Sequence, residues 1–158
     1  METDPIWIRV AEPSDIEQII AVSLGVRGVP GGDAYGAITD EERLFVVAET
    51  VDGTIVGWAK THYFDSPAES APAGHYLGGV NVLPEYRRRG IGSALTRPRL
   101  EWIFDRAPEA WFFTNARNLA SIELHSRLGF REIARASELH GVAFEGGVGI
   151  LFSRSGVR

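Results

Sequence analysis

The chain is 158 residues long, 44% hydrophobic and 23% charged, with no cysteine and a formal net charge of −5 at pH 7. That size and balance fit one soluble domain, taken as residues 1–158, and the missing cysteines exclude disulfides and a cysteine-bound acyl intermediate. No apolar run approaches the ~20 residues of a membrane span, no basic-then-apolar leader opens the chain, and an acidic chain is a poor partner for nucleic acid; the expectation is a cytoplasmic protein with neither kind of partner.

Charge is unevenly placed. Residues 1–86 hold four basic and fourteen acidic side chains, whereas residues 87–158 hold twelve basic and seven acidic. A basic C-terminal half suits a polyanionic ligand, and an acidic N-terminal half suits a cationic one such as an amine.

In chain order, Ile6–Val10 alternates as a first strand, and Pro13 and Ser14 open a helix with Ile16, Ile19, Ile20 and Ser23 at helical spacing. Gly25 to Asp40 reads as an irregular, glycine-rich loop with one short helix near Tyr35–Arg43. Leu44–Glu49 and Ile55–Tyr63 are strands joined by a hairpin turn through Asp52 and Gly53. After a loop at residues 66–74 comes a strand, His75–Leu83, whose Gly78-Gly79 pair predicts a bulge. A helix then runs from Gly90 to about Arg106. Pro98 inside it removes one backbone donor and predicts a bend. Ala110–Thr114 is the next strand, Asn118 caps a second long helix ended by Gly129, and Arg131–Leu139 with Gly146–Phe152 close the sheet as a hairpin.

The segment Val82-Leu83-Pro84-Glu85-Tyr86-Arg87-Arg88-Arg89-Gly90-Ile91-Gly92-Ser93 carries the chemistry. A strand that stops at a proline, turns through arginines and a glycine, and opens a helix points several backbone N–H groups at one place, with the positive end of the helix behind them. Such a turn cradles a pyrophosphate, and Arg87, Arg88 and Arg89 add full charges. Two other phosphate loops do not fit. A P-loop needs a lysine, and the sole lysine, Lys60, lies elsewhere; a Rossmann fingerprint needs a third glycine where Leu95 stands.

The pattern Arg/Gln-x-x-Gly-x-Gly/Ala, met by Arg87, Gly90 and Gly92, resembles the pyrophosphate turn of the GNAT superfamily of acyl-CoA-dependent N-acetyltransferases. Asn118-Leu119-Ala120-Ser121-Ile122-Glu123-Leu124-His125-Ser126-Arg127-Leu128-Gly129-Phe130 resembles the family's late helix, with its Asn and its Leu-Gly-Phe triplet. The resemblance covers nearly the whole chain, with its specific motifs between residues 80 and 130. It implies an α/β fold: a mixed, largely antiparallel sheet with helices on both faces, in which the strands at His75–Leu83 and Ala110–Thr114 are parallel and splayed. It implies acetyl-CoA, or coenzyme A, as cosubstrate and no metal. The cofactor set is Arg87, Arg88, Arg89, Gly90, Ile91, Gly92 and Ser93 at the pyrophosphate, Val80 and Val82 pairing with the pantetheine arm, and Asn118 contacting it.

A thioester is already activated, so direct attack by a primary amine is the expected mechanism, with a backbone N–H near Val80 to Val82 on the thioester oxygen. The departing thiolate needs a proton. Many relatives supply it from a tyrosine on the late helix; the matching position here is His125, the candidate general acid. No base is legible: Tyr76 and Phe113 stand where some relatives carry glutamates; His75, Glu49, His62 and Asp65 either line the substrate cleft or, as is more usual, are ordinary surface or hairpin residues, and deprotonation through ordered water is an equal alternative. Arg97, Arg99 and Arg117 read either as partners of the adenosine 3′-phosphate or, as is usual for arginines on helices and loops, as solvent-facing, and Trp58, Trp102 and Trp111 as core. Two alternatives share the fold: transfer of a larger acyl group such as succinyl, for which no cleft arginine is evident, and an acyl-CoA sensor with decayed catalysis. The acceptor is a small-molecule or peptide amine shaped by Val26–Asp40, and an exposed strand edge offers a route to a homodimer.

Overall fold

The computed structural model describes residues 5–156. Seven strands form one sheet in the order β1 (Ile6–Val10), β2 (Phe45–Thr50), β3 (Ile55–Phe64), β4 (Gly74–Val82), β5 (Glu109–Asn115), β9 (Gly149–Ser155) and β6 (Arg131–Ala136). A separate ribbon pairs β7 (Glu138–Leu139) with β8 (Val142–Ala143). The helices are α1 (Ile16–Arg27), α2 (Ala34–Thr39), α3 (Ile91–Phe104) and α4 (Leu119–Arg127). Pairings are antiparallel for β1/β2, β2/β3, β5/β9 and β6/β9, and parallel for β4/β5, where only Tyr76 and Trp111 are in register. A parallel pair with one rung is the splay expected between these strands.

The chain folds as two compact units. The first comprises residues up to Thr61 with Gly78–Arg99, and the second His62–Leu77 with residues from Leu100 on. In the first, strand alternation sends side chains to two faces. Phe45, Val47 and Trp58 pack with Ile19 and Val22 of α1 and Ala37 of α2; Val46, Ala48, Val56 and Val82 pack with Ile91 and Leu95 of α3. In the second, Phe112, Ile150 and Phe152 pack with Leu100 and Ile103 of α3 and with Phe130, while Tyr76 and Leu151 pack with Leu139 and, half-buried, Trp111 and Phe113.

Three boundaries differ from the sequence expectation. Helix α1 runs through Gly25 to Arg27 instead of dissolving into a loop, because Val22 and Val26 join the core beneath it. A Cβ on Gly25 would lie 2.8 Å from Leu83 Cδ2, so the glycine marks close approach and not a break. Helix α2 ends at Thr39, held at its start by the Asp33 carboxylate accepting from Gly36 N–H at 2.9 Å. The closing hairpin is interrupted by the β7/β8 ribbon, and β9 lies between β5 and β6. Helix α3 continues across Pro98 as one element.

Candidate functional site: the arginine–glycine turn, the β4 segment and helix α4

The turn lies in the first unit. Residues 84–86 form one helical turn; Arg88 then takes φ +63° and Gly90 φ +78°, a left-handed conformation that favours glycine. The buried side chain of Ile91 pins the start of α3 into the core. The first bond into the helix is Ala94 N–H to the Gly90 carbonyl at 3.0 Å. The N–H groups of Ile91, Gly92 and Ser93 are therefore left without an acceptor in the helix, beside the positive end of its dipole. A Cβ on Gly90 would meet nothing within 4 Å, so the turn opens outward, and Arg87, Arg88, Arg89 and Gly90 are all exposed. Arg89 lies over the Tyr86 ring at 4.9 Å, and Arg87 Nε donates to the Val82 carbonyl at 3.1 Å. The residues present fit a pyrophosphate: free donors and three cations that, among the described residues, pair with no carboxylate.

The same Arg87 bond occupies the Val82 carbonyl, and the Val82 side chain packs under α3. Of the two expected pantetheine-pairing residues, Val82 is buried and Val80 half-buried.

Beside this strand segment the structure reveals two groups that were not expected. Arg99, read above as a phosphate partner or as solvent-facing, is fully buried. Its Nη1 donates to the carbonyls of Lys60 (2.9 Å) and Gly78 (3.0 Å), its Nε to Leu95 (3.0 Å) and its Nη2 to Thr96 Oγ1 (3.0 Å). It tethers β3, β4 and α3 of the first unit, and burial without a carboxylate pulls its pKa down to about 9. Asn81 is also buried, and neither its Oδ1 nor its Nδ2 has a hydrogen-bond partner among the described residues. A signal for Arg99 was present: Ile91, Leu95 and Arg99 recur at i, i+4 and i+8, the apolar face of α3. None marked Asn81.

Helix α4 lies in the second unit. Asn118 caps it, with Oδ1 accepting from Ser121 N–H at 3.2 Å while Nδ2 donates to Thr114 Oγ1 at 3.3 Å. His125 is 1% exposed and stacks on Phe112, centroids 3.6 Å apart and planes 6° from parallel. Because a carbonyl can only accept, the 2.8 Å contact between Nδ1 and the Ser121 carbonyl makes Nδ1 the donor.

The remaining titratable positions have structural occupations. Glu49 accepts from Arg9, and the His75 ring packs against Tyr63 (4.7 Å) and edge-on to Trp102 (5.4 Å). Among the described residues no group of three or more His, Asp or Glu could hold a metal ion, and no helix is long and apolar enough to cross a membrane.

Known proteins of similar sequence and fold identify the family. The Acetyltransferase (GNAT) family profile matches residues 20–130, well over half of the chain. An N-alpha-acetyltransferase of Sulfurisphaera tokodaii is 30% identical over 138 residues, covering 80% of both chains. A mycothiol acetyltransferase of Streptomyces griseus is 38% identical over 89 residues, which is 54% of this chain and 26% of that protein. In fold, the crystal structure of Arabidopsis thaliana NAA60 in complex with acetyl-CoA superposes with a TM-score of 0.76 at 19% identity, covering 96% of this chain and 98% of that one.

Proposed function

Because the chain belongs to the GNAT acetyltransferase family, we propose that it moves the acetyl group of acetyl-CoA directly onto a primary amine, residues 1–158 acting as one catalytic domain in the cytoplasm, where that cosubstrate is used. The observation that carries this reading is the outward-facing turn at residues 87–93, with acceptor-less N–H groups at Ile91, Gly92 and Ser93 under three arginines. It takes the pyrophosphate, and the arm extends along Val80, with Asn118 as a further contact.

The amine nitrogen attacks the thioester carbon, its N–C bond forms as the C–S bond breaks, and backbone N–H groups at the β4 segment bear the charge on the oxygen. No cysteine exists to hold the acyl group, so one displacement completes transfer. The thiolate then takes a proton from Nε2 of His125 in its imidazolium form. The neutral ring that remains, with Nδ1–H still on the Ser121 carbonyl, is recharged by the proton lost from the amine.

Thiol release from acetyl-CoA with a panel of primary amines tests the transfer, and calorimetry tests the cradle. Replacing Arg88 and Arg89 by Ala should weaken coenzyme A about tenfold or more, since each removes a charged partner of phosphate. His125→Phe preserves the stack on Phe112 and should lower kcat about 10²-fold with coenzyme A affinity unchanged. Undiminished turnover would remove His125 from the mechanism.

A further inference from the structure

Four of the basic side chains converge on two short strand segments of the first unit, Lys60–Thr61 of β3 and Gly78–Gly79 of β4. Arg99 bonds the Lys60 and Gly78 carbonyls from beneath, and Arg43 Nε donates to the Thr61 carbonyl at 3.2 Å. The Lys60 ammonium lies 5.7 Å above the Trp58 ring, and Arg27, at the end of α1, reaches β4 so closely that a Cβ on Gly79 would stand 3.0 Å from its Nη2. The acid nearby is Asp33, whose carboxylate already accepts from Gly36 N–H. Neither Arg27 nor Lys60 forms an ion pair among the described residues. Like charges gathered this way repel, and the repulsion is felt: Lys60 is pushed below the ordinary lysine pKa by burial and then by Arg43 and Arg27. Among the described acidic residues of this stretch of chain, Asp33 alone acts on Lys60.

Asn81 adds an independent observation. Val80 and Val82 point toward α3, so alternation sends residues 79 and 81 to the opposite face, that of Trp58 and α1. There the buried amide of Asn81 offers a donor and an acceptor that the described residues do not satisfy. An unpaired buried amide is costly unless a ligand completes it. We infer that the Arg27–Lys60–Asn81 face of β3 and β4 binds a carboxylate of the substrate, with Arg27 and Lys60 as its charge partners and Asn81 as its hydrogen-bonding amide. It lies one residue from Val80, and so rests on the acyl-transfer reading for its place beside the thioester. The carboxylate belongs either to the amine, as in an amino acid, or to a dicarboxylic acyl chain.

Two arms separate these sources. With acetyl-CoA, α- and ω-amino acids are each compared with their own carboxamides; with the carboxamides as acceptors, succinyl-CoA is compared with acetyl-CoA. One arm should favour the carboxylate about tenfold or more in kcat/KM, and R27M or K60M should cut that ratio to about threefold or less, as loss of a charge-assisted contact requires. Arg27 is exposed, so R27M folds whatever the fate of K60M. N81L should cut the same ratio without lowering Tm, which a purely structural asparagine would not do. Equal kcat/KM for carboxylate and carboxamide in both arms, or ratios untouched by R27M and K60M, would overturn the inference. Should no acyl group be transferred at all, the transfer reading fails by itself. The carboxylate site is then judged by calorimetry with N-acetyl amino acids against their amides, where a preference lost in R27M upholds it and no preference refutes it.

Discussion

Two sets of cations in the first unit are treated in opposite ways. Arg9 is enclosed by carboxylates: it donates to Asp15 at 2.8 and 2.9 Å and to Glu49 at 3.0 and 3.2 Å, and these bonds raise its pKa while Arg9 lowers that of Asp15. Arg99 and Lys60 are shifted the other way by burial, and for Lys60 also by other cations. The first set ties β1, β2 and the start of α1 together and is complete within the chain. The second, at β3 and β4, spends its hydrogen bonds on carbonyls and leaves its charge uncompensated. Uncompensated charge beside a strand that is proposed to carry a thioester is where a ligand, not the fold, supplies the missing partner.

The largest effect should come from Arg99. Arg99→Met strands the carbonyls of Lys60 and Gly78, and at about 1–3 kcal/mol for each unsatisfied acceptor we expect a loss of about 2–5 kcal/mol in urea unfolding. A loss under ~1 kcal/mol would mean that the guanidinium is a burden and that the two cation sets differ less than their bonding implies.

Asp15→Asn comes next, at about 1–3 kcal/mol, because a charged hydrogen bond to a buried carboxylate is removed. Its pH dependence is signed. A carboxylate whose folded pKa is lowered contributes fully above its unfolded value of about 3.9, and that contribution fades as pH falls through the lower folded value. The gap between wild type and Asp15→Asn should therefore be widest near neutral pH and close in acid. A gap constant with pH would assign the cost to packing.

Asn81→Leu should have the reverse sign. Replacing two unsatisfied buried polar atoms by an apolar group of similar shape is expected to stabilise the protein by about 1 kcal/mol, read as a higher urea midpoint at constant m-value. Destabilisation would mean that the amide is satisfied in solution. Smallest of all, the exposed Arg27→Met should change stability by less than about 0.5 kcal/mol, so that any larger shift would place Arg27 with Arg9 as a structural cation.

Most of the architecture was legible from local chemistry. The arginine–glycine turn needs only a proline stop, a glycine able to take φ +78° and a helix start, all of them contiguous. Asn118 and Gly129 likewise bracket α4 through bonds within a few residues. What failed were the ends of α1 and α2, the unbroken closing hairpin and the exposure of one arginine. Arg99 was expected at a phosphate or in solvent, where arginines usually are, although its spacing from Ile91 and Leu95 pointed inward. The acidic composition of the first half suited an amine acceptor, but composition averages over a surface and does not show that Arg27 and Lys60 meet beside β4.

The order of residues along the chain was enough to place most of the helices and strands, the arginine–glycine bend and the family, because each rests on bonds between near neighbours or on the period of apolar side chains. Only the tertiary structure decided that Arg27, Lys60, Asn81 and Arg99 belong together. They lie on α1, β3, β4 and α3, and what unites them is the pairing of β3 with the end of β4, where Leu83 N–H meets the Val56 carbonyl at 2.9 Å. Convergence of this kind depends on strand register and face, which no single segment encodes.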